Sequence, residues 1–78
     1  MEREIYIRLL KEGTKVSKPV PATEIRENLY EVDGYEIYNS EDEEWEFLPG
    51  ALVIVEEQYL EGQKVLVAVR EQKTHDAP

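Results

Sequence analysis

Short apolar runs with a period of two, broken by turn-forming residues, are the dominant pattern along the chain. Glu4 to Lys11 reads as a strand, with Ile5, Ile7 and Leu9 on one face and Tyr6, Arg8 and Leu10 on the other. Gly13 and Thr14 mark a turn. Val16 to Ile25 is extended, because Pro19 and Pro21 cannot sit inside a helix and push the residues before them towards β. Two missing ladder donors make this an edge strand or a loop-like extension, the edge strand being the better reading. Glu27-Asn28 is the next turn. Leu29 to Tyr38 contains Asp33-Gly34, the strongest hairpin signal in the chain. A two-residue loop there pairs Val32 with Tyr35, Tyr30 with Ile37 and Glu31 with Glu36. A competing reading leaves Tyr35 to Ser40 as irregular loop.

Asn39 to Glu46 is acidic, and Ser40 with Glu43 matches a capping box, so a single helical turn is expected at about 41–46. Leu48-Pro49-Gly50 stops it. Ala51 to Gln58 and Lys64 to Arg70 are strands joined by Glu61-Gly62. Both are apolar on both faces, so this hairpin is covered on both sides, by the rest of the chain or by a second subunit. Glu71 to Pro78 lacks apolar periodicity and is expected to be a flexible tail. Residues 1–70 then form one domain: an all-β meander of five or six short antiparallel strands. Its simplest closure is a partly open barrel with at most one short helical turn.

Composition sharpens this picture. The chain has 78 residues and a formal net charge of -9, with 41% apolar residues, enough for a folded core. It has no cysteine, so disulfides and thiol chemistry are excluded, and a reducing cytoplasm is the expected compartment. The N-terminal residues lack the basic lead and apolar run of a signal peptide. The longest uncharged apolar run is five residues, too short to span a membrane. The charge is uneven: residues 24–61 hold thirteen acids and one base, Arg26. That stretch repels nucleic-acid phosphates and attracts basic partners.

Catalytic chemistry is hard to assemble from these residues. The single histidine, His75, lies in the tail, and neither Ser17 nor Ser40 has a base near it in sequence. The four glycines stand alone at turns, so there is no phosphate loop. Glu41, Asp42, Glu43 and Glu44 are contiguous, and contiguous side chains rarely converge on one cation. No catalytic residue, cofactor or metal site is therefore expected. Trp45 and Phe47, two apart and flanked by acids, have two readings. They plug the end of the barrel, or they form a surface patch, together with Tyr35, that suits a Lys- or Arg-rich peptide.

Several segments carry a resemblance. They are Ile5 to Thr14, Lys18-Pro19-Val20-Pro21-Ala22, Glu43-Glu44-Trp45-Glu46-Phe47-Leu48-Pro49-Gly50 and the valine-rich hairpin. Together, over about residues 5–70, they resemble a family of small uncharacterised bacterial proteins whose pattern has Arg where this chain has Lys18. The resemblance implies a compact bacterial β-domain, akin to Src-homology-3-like barrels, and implies no activity. The expected function is a non-enzymatic interaction domain that binds a basic protein or peptide. It would use Tyr35, Glu41, Asp42, Glu43, Glu44, Trp45 and Phe47. The alternatives are a homodimer through the apolar hairpin and an acidic mimic of nucleic acid. Neither nucleic acid nor membrane is an expected partner.

Overall fold

The computed structural model describes residues 2–10 and 16–72. Five strands, β1 (Glu2–Leu9), β2 (Val16–Arg26), β3 (Leu29–Val32), β4 (Leu52–Leu60) and β5 (Gln63–Glu71), follow one another around a single sheet. Successive strands pair antiparallel, and β1 meets β5 in parallel at Tyr6 and Val67, which closes the ring. The all-β barrel expected from the pattern is the fold. The expected turn at Gly13 and Thr14, the His75 position and residues 73–78 lie outside the described residues. Glu71 belongs to β5 and the N–H of Gln72 bonds to Leu52 O at 2.7 Å, so the ordered domain runs slightly past residue 70. No described helix is long and apolar enough to cross a membrane.

The core follows from the period of two. Ile5, Ile7 and Leu9 of β1 face Val20 and Ala22 of β2, Tyr30 and Val32 of β3, Val53 and Val55 of β4, and Ala68 of β5. Two β-bulges bend the sheet enough to close. One leaves Ile25 of β2 without a partner between Glu24 and Arg26. The other leaves Val69 of β5 without one, because Ile54 pairs with Arg70 and Val55 with Ala68. Bulges increase local twist and bend a strand, and both bulged side chains are exposed apolar residues. Glu61 and Gly62 both have positive φ, 53° and 84°, which matches a two-residue hairpin loop to the twist of β4 and β5.

Three expectations are corrected. The Asp33-Gly34 hairpin does not form: β3 pairs with β2 and β4, so Glu31 lies opposite Thr23 and Leu52 rather than Glu36. After Gly34 the chain turns, with the N–H groups of Ile37 and Tyr38 both donating to Gly34 O at 3.0 Å. The competing loop reading of this segment is the correct one. The helical turn is also absent. Asp42 and Glu43 N–H groups share Asn39 O, and Asn39 Oδ1 accepts the Glu41 N–H at 2.9 Å, an Asx turn led by Asn39. Finally, β2 is an edge only in its first half. Val16 to Pro21 pair with β1, whereas Ala22 to Arg26 also pair with β3. Pro21 O accepts the Asp33 N–H, so the Pro21 peptide points away from β1, as does that of Pro19 two residues earlier. Neither proline costs a β1–β2 hydrogen bond.

The hairpin of β4 and β5 is covered in part by the chain itself. Val53, Val55 and Ala68 are buried, and Leu66 packs against them. On the other face, Leu60 and Val67 share a cleft of about 300 Å³ with Arg8, Ser17 and Glu46.

Candidate functional site

The segment from Asp33 to Gly50 joins β3 to β4 and carries every residue expected at the site. Its ends are fixed by the sheet: Gly50 N–H donates to Val32 O at 2.7 Å, and Val32 N–H donates to Ala51 O at 2.9 Å. Its middle docks on the far end of β1. Leu10 N–H donates to Glu44 O at 2.7 Å and Glu46 N–H donates to Arg8 O at 2.8 Å, so Trp45 bridges to Leu9 as a short sixth strand would.

That docking buries the aromatics. Trp45 is 1% exposed and Phe47 8%, so the plug reading is correct and the surface aromatic patch is corrected. Both rings sit in the core because the alternation along 45–47 continues the inward face of Leu9. Tyr38 meets the Trp45 ring edge-on at 4.8 Å. Trp45 therefore cannot anchor a partner.

Glu43 is also drawn inward. Its Oε1 accepts hydrogen bonds from Trp45 Nε1 and from Lys18 Nζ, both at 3.0 Å. The indole N–H and the Lys18 hydrogen bond, with the Lys18 charge adding to them, hold the Glu43 carboxyl below its ordinary range; partial burial opposes them. Glu43 is thus a clasp between the loop and β2. It is the one residue of the acidic run that the fold consumes.

The rest of the predicted set stays outside. Glu41, Asp42 and Glu44 are exposed, and none forms an ion pair among the described residues. Tyr35 is 66% exposed, and beside it stands Ile37 at 48%. With Pro21, Asp33, Gly34 and Glu36 they line a shallow cavity of about 300 Å³. Asp33 is held by the Thr23 hydroxyl, which donates to Oδ2 at 2.7 Å. Ile37 was missed as a surface residue because the hairpin reading turned it inward with Tyr30. The exposed Leu48 was read only as part of a stop signal. No group of three or more acids or histidines among the described residues is placed to hold a metal ion.

The loop therefore presents carboxylates and three exposed apolar side chains, Tyr35, Ile37 and Leu48, on a scaffold fixed at both ends and in the middle. Such a surface can attract cations and bury a small apolar contact. Comparison with protein-family models, with curated proteins and with solved structures found no match.

Proposed function

We propose that the protein is a non-enzymatic interaction domain, working in the cytoplasm, that captures a basic protein or peptide on its 33–50 loop. The observation that carries this reading is the loop's division of labour. Trp45, Phe47 and Glu43 are spent on anchoring it, while Glu41, Asp42 and Glu44 are exposed and pair with no base among the described residues. A surface fixed before binding loses little entropy on association. Unscreened carboxylates raise the encounter rate of a basic partner, and Tyr35 and Ile37 supply the apolar contact that slows its release.

The test starts from a partner captured from native lysate and eluted by salt. The variant Glu41→Gln, Asp42→Asn, Glu44→Gln should associate with it about tenfold more slowly at low salt. Its association rate should also vary less with salt. Tyr35→Ala should instead speed dissociation. Association and dissociation rates equal to those of the parent protein would overturn the reading.

A further inference from the structure

One end of the barrel is plugged by Trp45 and Phe47; the other is open. β1 runs from Arg3 at the open end to Leu9 at the plugged end, and β3 runs the same way, from Tyr30 to Val32, with Gly34 just past its end beneath Trp45. At the open end lies a cavity of about 610 Å³. Its floor is Tyr30, Val55 and Leu66, the last inward-facing residues of three strands. Its rim carries Glu24, Glu27, Glu56 and Glu57 against a single base, Arg3, a lining charge of -3.

Tyr30 makes this more than a group of acids. The residue is 2% exposed and its ring belongs to the core. Its hydroxyl makes no hydrogen bond to any described residue, yet no polar side-chain atom sealed from solvent lacks a partner. The little of Tyr30 that is exposed therefore includes its hydroxyl, and Tyr30 is one of the residues that line the cavity. A buried phenol ordinarily satisfies its O–H within the protein. Here the donor and acceptor capacity is left at the floor of an acidic mouth.

The geometry points to a binding site for an alkylammonium chain. The ammonium would donate to the Tyr30 oxygen and a rim carboxylate, and its methylenes would lie over Val55 and Leu66. A divalent ion fits poorly, because it needs several oxygens converging at bonding distance and the described acids form no such group. The rim acids are instead distributed around the mouth, on β2, on the Glu27-Asn28 turn and on β4. Charges spread along a flexible cation match that spacing; one small ion does not. Glu57 is already shared with Lys64, at 3.7 Å, so Glu24, Glu27 and Glu56 are the lining acids without an ion pair among the described residues. The chain could come from a free linear polyamine or from a lysine of a partner, and the site reads both by the same groups.

The experiment titrates the full chain with spermidine, with pentalysine and with magnesium chloride at matched ionic strength. It follows binding by calorimetry and amide chemical shifts. Binding of spermidine or pentalysine at one site, with shifts centred on Asn28, Tyr30 and Glu56, is expected; the tighter ligand identifies the source. Tyr30→Phe removes one oxygen and keeps the ring. It should weaken binding about tenfold, the worth of one hydrogen bond to a charged group. Glu24→Gln should weaken it as well, and provides a second variant that does not touch the core ring. Three results would overturn the site. They are no binding, unchanged affinity in both variants, and equal competition by magnesium. Shifts confined to Glu41, Asp42 and Glu44 would also overturn it while leaving the loop reading intact.

Discussion

Gly34 has φ of +89°, and a β-carbon added there would lie 3.0 Å from the Trp45 ring. Gly62, at +84°, has open space at the same position. The pair separates backbone strain from packing. Gly62→Ala should cost about 1 kcal/mol, the penalty of a left-handed alanine. Gly34→Ala should cost about 1–3 kcal/mol more, because overpacking is added to that strain. Urea unfolding of the two variants checks this, and equal losses would mean that the indole yields freely. Glu43 makes a second prediction at this scale. Its carboxyl is held below the ordinary value of 4.5, so the folded state favours the ionised form. The resulting stabilisation is complete above pH 4.5 and is lost as pH falls through the lowered folded value. Glu43→Gln should lack this component. The stability difference between parent and variant should shrink on acidification through that range. A difference that stays constant would remove the carboxylate from the clasp.

At the scale of elements, local pattern was a good guide wherever a strand's partner is its neighbour in sequence. Alternation in Ile5, Ile7 and Leu9 and in Val53 and Val55 reads directly as an inward face, and those residues form the core. Glu61-Gly62 was legible because a type I′ turn needs positive φ at both positions and Gly62 supplies one without strain. Asp33-Gly34 carries the same local signal and yet makes no hairpin. Gly34 is used to let Trp45 approach, and β3 is paired on both sides by β2 and β4 before Tyr35 could reach it. That competition is tertiary, so no window of sequence contains it. The two bulges at Ile25 and Val69 were hidden for a related reason. A bulge is set by how far the sheet must bend to close, a property of the ring rather than of either strand. The site divides along the same line. The acids of the loop were visible as composition, but the burial of Trp45 depends on β1, thirty-odd residues away. The open mouth brings together residues of all five strands and had no signal at all.

The whole molecule carries a net charge of -9 in a body measuring 37 × 30 × 20 Å. At about 10 mM salt the screening length is about 30 Å, so each carboxylate acts on nearly every other. At about 0.15 M it is about 8 Å, and only near neighbours interact. Just two ion pairs, Lys18–Glu43 and Lys64–Glu57, are present among the described residues to oppose that repulsion. Repulsion therefore outweighs attraction, and screening should stabilise the fold. The melting temperature should rise by about 5 °C between those two salt concentrations, the shift that about 1 kcal/mol produces in a domain of this size. A protein held by its ion pairs would move the opposite way, so a fall on adding salt would reverse the sign of the electrostatic account. The triple variant at Glu41, Asp42 and Glu44 links this to function. Removing three charges that pair with no base among the described residues should raise stability at low salt and leave it nearly unchanged at high salt. If that variant is also the slower one to bind, the acids lower stability while serving recognition. A loop kept only for solubility would show the gain in stability with no loss in association.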